Sequence, residues 1–260
     1  MPRFRLLIEY NGSRYSGWQV QRNARTVQGD LIEAVQKVTG RRDRLELYGA
    51  GRTDAGVHAL GQVAHLDVAT TLPPRTLLTR LNESLPADIN VIDVRTVGHR
   101  FHARHDAVGR RYLYQVSRRR TAFAKPFVWW VRERLDVDAM RRGARAFVGR
   151  LDFEAFSDDD ADEKSTKVEI EAVDIVEDGA LVLIRVTGSH FLWRMVRRMV
   201  GVLVRVGTGD LRADDVGRLL RSTGEDVARL TAPAAGLFLE QVIYPGESFS
   251  DDVRGSIGIR

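Results

Sequence analysis

Along this chain hydrophobic periodicity switches between two and about 3.6 residues, in the same order twice, and that repetition limits the fold. Phe4, Leu6, Ile8 and Tyr10 alternate with mostly polar neighbours, which predicts a half-buried strand. Thr26 offers an N-cap, and Val27, Leu31, Ala34, Val35 and Val38 follow at helical spacing until Gly40. Strands are expected at Arg44 to Tyr48 and from Gln62 to Val68. Pro73 and Pro74 open a second helix carrying Leu77, Leu78, Leu81 and Leu85 on one face, and a strand around Ile92 and Val94 closes the set. The order is β-α-β-β-α-β, the ferredoxin-like split arrangement.

The second half runs through the same order. Tyr112 to Val116 reads as a strand, and Asp136 caps a helix with Val137, Met140, Ala144 and Phe147 that ends at Gly149. Val168 to Val176 and Leu181 to Val186 flank a turn at Glu177 to Gly179. Phe191 to Val206 is a long helical stretch, Asp214 to Arg221 a shorter one, and Leu237 to Tyr244 the last strand. Two such units predict an α+β protein of two ferredoxin-like lobes. The division expected is residues 1 to 105, then 106 to 246, then a polar, frayed tail from 247 to 260.

At 260 residues the chain is long enough for two such lobes. It has no apolar run of membrane-spanning length, and its first residues lack the apolar centre of a secretion signal, so the cytoplasm is the default expectation. Cysteine is absent, which excludes disulfides, thiolate catalysis and cysteine-bound zinc. Net charge is +5, but acid is concentrated in Asp158 to Glu163, while Arg110 with Arg111, Arg118 to Arg120 and Arg194 to Arg205 form basic clusters. A polyanionic partner such as nucleic acid therefore becomes a candidate.

Between two expected strands lies Gly49-Ala-Gly-Arg-Thr-Asp-Ala-Gly-Val-His-Ala-Leu-Gly-Gln62, with four glycines in fourteen residues. Such backbone turns tightly and lets another molecule come close. It holds one cation, Arg52, and one carboxylate, Asp54. Spacing alone reads Asp54 first as a turn residue bonded to its own backbone, and second as a group presented by a rigid sheet. No phosphate-loop reading applies, since no Lys-Ser or Lys-Thr follows the glycines.

The segment Gly51-Arg-Thr-Asp-Ala-Gly-Val-His58 resembles the active-site signature of the TruA family of tRNA pseudouridine synthases. Further blocks resemble the family in order: Glu9 to Gly12 with Gly17 to Gln21, Thr26 to Gly29, Phe101 to Arg104, Arg110 to Tyr114, Phe191 to Arg197 and Ala235 to Leu239. They run from residue 9 to residue 239. The resemblance implies two lobes with antiparallel sheets joined side by side, a catalytic cleft between them, and a homodimer in which one tRNA touches both subunits. It implies isomerisation of uridine to pseudouridine at positions 38, 39 and 40 of the anticodon stem-loop, a reaction that needs no redox cofactor, metal or energy source.

In that chemistry the C1′–N1 bond breaks, the uracil turns, and a C1′–C5 bond forms. An ionised carboxylate starts it, by attacking C1′ or by removing the C2′ proton. By resemblance Asp54 is that carboxylate and Arg197, from the second lobe, is the cation that keeps it charged. Tyr112 matches the family's active-site tyrosine, suited to stacking on the uracil. Arg52 matches the arginine that extrudes the nucleotide from its stem. Arg198, where the family often has Asn, Phe238, where it often has Tyr, and the acidic stretch, where it often has a basic loop, are departures.

Three patterns have plainer readings. Arg194, Arg197, Arg198 and Arg205 lie on one helical stripe, the wet face opposite Met195, Val196, Met199 and Leu203. His99, His102 and His105 lack the acids of a metal site, so they and His58 are expected at the surface or facing RNA. Asp158 to Glu163 reads as a solvated loop. Two other functions compete: a non-catalytic RNA-binding protein on the same two lobes, and a glycosidic hydrolase, which would want a second carboxylate.

Overall fold

The computed structural model describes residues 1–41, 43, 45–158, 165–256, 258 and 259. In chain order the elements are β1 (Arg3–Tyr10), α1 (Val27–Thr39), β2 (Glu46–Gly49), β3 (His58–Asp67), α2 (Pro74–Ser84), β4 (Ile89–Val97), β5 (Gly109–Ser117), β6 (Trp129–Trp130), α3 (Val137–Ala144), β7 (Gly149–Asp152), β8 (Lys167–Asp178), β9 (Leu181–Gly188), α4 (Met195–Thr208), α5 (Asp215–Leu219), α6 (Gly224–Ala228) and β10 (Leu237–Ile243). Strands and helices share the chain, so the protein is of the α+β class. Among the described residues no helix is long and apolar enough to cross a membrane.

Two compact units emerge. The first comprises Met1–Val108 with Phe238–Phe249. In it β1 is central, antiparallel to β3 through Leu6 opposite Ala64 and to β4 through Leu6 opposite Val94. β2 pairs antiparallel with one end of β3, Leu47 opposite Leu66, which gives the spatial order β4-β1-β3-β2. Along β1 burial alternates, and Phe4, Leu6 and Ile8 join Leu31, Leu77 and Leu81 of the helices in the core. The Thr26 hydroxyl accepts the Gly29 N–H at 3.2 Å, the N-cap that its chemistry predicts. The last strand, read from sequence as closing the second half, is grouped here: Phe238 and Leu239 lie parallel to His58 and Ala59 of β3.

The second unit comprises Gly109–Leu237 with Ser250–Arg260. Its strands run β5-β9-β8-β7, all antiparallel, with the two-residue β6 alongside β5. Beneath them Phe147, Phe153 and Phe156 form an aromatic cluster, with Phe147 and Phe156 edge to face at 5.3 Å. α4 is buried on nearly every side, Met195, Met199, Val202 and Leu203 among its core residues. It begins at Met195 rather than at the expected Phe191, because Arg194 adopts a left-handed φ of 62° that stops the helix extending toward its N-terminus. The tail, expected to fray, is tied down instead. Ser256 N–H donates to the Gln115 side chain at 2.7 Å, Ala180 N–H donates to the Ile259 carbonyl at 3.2 Å, and the Asp252 carbonyl accepts from the buried Arg185.

Candidate active-site residues

Asp54 sits on the turn between β2 and β3. The turn closes through its carbonyl, which accepts the Val57 N–H at 3.1 Å, and Gly56 supplies the φ of 77° that the turn needs. The side chains sort by depth. Arg52 is exposed, Thr53 is buried with its hydroxyl 2.7 Å from that of Tyr10, and Asp54 is half-buried.

A second segment braces this turn from behind. Trp18 N–H donates to the Thr53 carbonyl at 3.0 Å, Gly56 N–H donates to the Tyr15 carbonyl at 3.2 Å, and the Gln62 amide donates to the Gly51 carbonyl at 2.9 Å. The two backbones meet so closely that side chains are excluded. A Cβ on Gly12 would lie 1.9 Å from the Val57 carbonyl oxygen, and one on Gly17 2.5 Å from that of Thr53. The result is a carboxylate carried on backbone with little room to move, as a positioned reactive group requires. The sequence by itself attaches no role to residues 12 to 18. They meet the turn across about 35 positions (from Trp18 to Thr53), so no local pattern reveals it.

His58 is not at the surface as expected. It is 1% exposed, its Nδ1 accepts the Gly12 N–H at 3.1 Å, and its ring stacks on Phe238 at 4.7 Å. It belongs to the brace. His65 is buried as well, and burial, helped by the Arg3 charge, pushes its pKa down to about 4. His99 and His105 are exposed and His102 is half-buried.

In the second unit Tyr112 and Tyr114 share one face of β5, opposite Val186 and Ile184 of β9. Tyr112 is 9% exposed, with the Phe191 ring edge-on at 5.0 Å. Tyr114 is a core residue whose hydroxyl donates to the Pro233 carbonyl at 2.8 Å, and burial raises its pKa. Arg197 stands in the first turn of α4. Its Nε donates to the Ala232 carbonyl at 2.7 Å, and the Ala232 N–H returns a bond to the Arg197 carbonyl at 3.0 Å. Gly201, one turn on, lets that segment lie against the helix, since a Cβ there would fall 1.6 Å from the Leu230 carbonyl oxygen.

The arginine stripe is not uniformly wet. Arg194 and Arg205 are exposed and Arg197 is half-buried, but Arg198 is 3% exposed and turned inward. Its guanidinium pairs with Asp158 and donates to the Ser157 carbonyl at 2.6 Å, while Arg194 reaches the same carboxylate at 3.0 Å. Arg198 is therefore not on the wet face, and Asp158 is not part of a solvated loop. The rest of that acidic stretch, 159 to 163, lies outside the described residues.

Comparison with known proteins points to one family. Residues 6–106 and 144–245 match the model of a family described as tRNA pseudouridine synthase. A protein named tRNA pseudouridine synthase A from Rhodopseudomonas palustris is 42% identical over 94% of this chain and all of its own length. Proteins of that name from Paramagnetospirillum magneticum and Acetivibrio thermocellus are 41% and 39% identical, each over 94% of this chain and over 96% and 100% of their own lengths.

Proposed function

The chain belongs to the tRNA pseudouridine synthase family, and from that premise we propose that Asp54 is the carboxylate with which it isomerises uridine to pseudouridine in tRNA. The observation that carries this assignment is the brace. A half-buried aspartate on a turn whose backbone is fixed from behind by residues 12 to 18 supports the reading of a carboxylate held in place for a substrate atom. Asp54 either bonds to C1′ as the C1′–N1 bond breaks or takes the C2′ proton. In both routes uracil rebonds to C1′ through C5, which breaks the Asp54–C1′ bond in the first and returns the proton to C2′ in the second; the C5 proton is released and N1 gains a proton, so that atoms and charge balance.

Arg197 acts on the same nucleotide. The bond from its Nε to Ala232 supports this role, because it fixes the direction of the guanidinium. Tyr112 holds the uracil while it turns, with its own ring steadied by Phe191. Arg52, exposed beside Asp54, pushes the nucleotide out of its stem. The substrate uridines are those of the anticodon stem-loop at positions 38, 39 and 40. The protein works in the cytoplasm as a homodimer, one tRNA touching both subunits.

The test uses tRNA tritiated at C5 of its uridines. Wild-type protein releases tritium, while Asp54→Asn folds, binds the tRNA with wild-type affinity and releases none. Release by the variant at a rate near wild type removes Asp54 from the mechanism.

A further inference from the structure

Between β5 and α3 the chain makes an excursion, residues 118 to 134. It carries Arg119, Arg120, Lys125, Arg132 and Arg134 against a single acid, Glu133, every one of these side chains exposed, and it begins at Arg118, which pairs with Glu177 of β8. Among the cations stand two rings in water: Phe123, 97% exposed, and Trp130, 43% exposed.

The excursion is not slack. Val131 N–H donates to the Ser117 carbonyl at 3.0 Å, the Ser117 hydroxyl donates to the Arg119 carbonyl at 2.7 Å, and the Gln115 amide donates to the Phe127 carbonyl at 2.9 Å. Ala124, Val128 and Val131 anchor it from below, all buried. The turn that carries Phe123 is closed by the Ala124 N–H on the Thr121 hydroxyl at 3.3 Å. Phe123 therefore stays in solvent on a pinned turn, with its immediate neighbour Ala124 in the core, and forgoes the gain from burial that a ring this size ordinarily takes.

We propose that residues 118 to 134 form a second RNA-binding surface, apart from the isomerisation residues, which takes the sugar-phosphate backbone on its cations and an unpaired base on Phe123. Arg118 lies six residues beyond Tyr112 on β5, about 20 Å along an extended strand. Cations interleaved with exposed flat rings match the two faces of RNA, its charged backbone and its bases. A second copy of this chain fits worse, because its net charge is also positive, +5. That the RNA is tRNA rests on the proposed function; the binding surface itself does not.

Binding of an unmodified tRNA transcript is measured by filter retention across a range of KCl concentrations. The double variant Arg119→Glu, Arg120→Glu is expected to bind at least tenfold more weakly at low salt. Its plot of log affinity against log salt should flatten by roughly 0.7–0.9 for each phosphate that is no longer neutralised. Phe123→Ala should weaken binding about fivefold without changing that slope, and Phe123→Trp should restore it, since an indole stacks as well. At saturating tRNA all three should turn over at the wild-type rate. Wild-type affinity in the first two variants overturns the proposal. So does weakened binding accompanied by loss of self-association in sedimentation, which makes the surface an interface between copies. An inactive wild type that still loses tRNA affinity with Phe123→Ala would sink the isomerase reading and leave this one standing; an active wild type indifferent to the substitutions does the reverse.

Discussion

Arg198, inside the second unit, is clamped by Asp158, whose backbone N–H also donates to the Trp193 carbonyl at 3.3 Å. The pair joins the end of the 149–158 segment to the first turn of α4, the turn that carries Arg197. Removing the acid strands a cation that is 3% exposed. Asp158→Ala should therefore cost roughly 3 kcal/mol, the low end for a broken buried pair, since the Asp158 side chain is 25% exposed. The double change Asp158→Leu, Arg198→Met should recover most of that loss, because no buried charge remains. Urea titration of the three proteins reads both values. A single-variant cost under about 1 kcal/mol would show the cation satisfied without Asp158.

Arg197 is fixed through its Nε, which lysine lacks. Arg197→Lys keeps the charge but loses the bond to the Ala232 carbonyl. If the direction of the guanidinium matters to Asp54, the lysine variant should bind tRNA normally and form pseudouridine roughly 10²–10³-fold more slowly, the scale for losing one placed transition-state donor. Single-turnover rates with saturating enzyme make the comparison. Lysine at the wild-type rate would mean that charge alone suffices.

The brace behind Asp54 makes a prediction that a control can isolate. Gly17 has a φ of 96° and no room for a Cβ, whereas Gly40, the C-cap of α1, has a φ of 68° and nothing within 4 Å of where its Cβ would stand. Gly40→Ala should cost about 1 kcal/mol from backbone conformation and leave activity alone. Gly17→Ala adds the collision with the Thr53 carbonyl, which must shift the Asp54 turn. It should cost about 2–3 kcal/mol and lower kcat well beyond what the smaller folded fraction explains. Equal activity in the two variants, after correction for folded protein, would separate the turn from catalysis.

What the sequence discloses and what it hides divides along the range of the interactions. β1, α1 and the Thr26 cap follow from residues within a few positions of one another, and alternation or cap chemistry finds them. The start of α4 escapes such a reading because a left-handed arginine leaves no mark on a hydrophobic pattern. β6 and β7, two and four residues long, are too short for alternation to register. Arg198 reads as solvent-facing because the stripe repeats at helical spacing; only the inward Asp158 shows otherwise. The tail reads as frayed because its ties are to Gln115, Ala180 and Arg185, distant in sequence. In the candidate site, Asp54 stands out only through the motif around it. The bracing by Trp18 and the burial of His58 join separate segments, which no composition or period encodes.

His65 gives the fold a dependence on pH. Its Nδ1 accepts the Ala103 N–H at 3.1 Å, and its ring stacks on Tyr48 at 5.2 Å. Burial, then Arg3 and His102, hold its pKa at about 4, with Asp67 and Asp106 pulling the other way. An unfolded histidine titrates near 6.5. Between those values the unfolded chain binds a proton that the folded one does not, so stability falls as pH falls through that window. The contribution is complete above about pH 6.5 and gone below about pH 4, with an upper bound of about 3 kcal/mol. His102 is shifted down as well, mainly by burial, and adds to the slope in the same sense. His65→Asn keeps an acceptor near the position of Nδ1 and removes the titration. Its Tm should be lower than wild type at pH 7.5 because the stacking is gone, yet fall less steeply between pH 7 and pH 5. Parallel curves for the two proteins would mean that the neutral imidazole is not what the fold requires there.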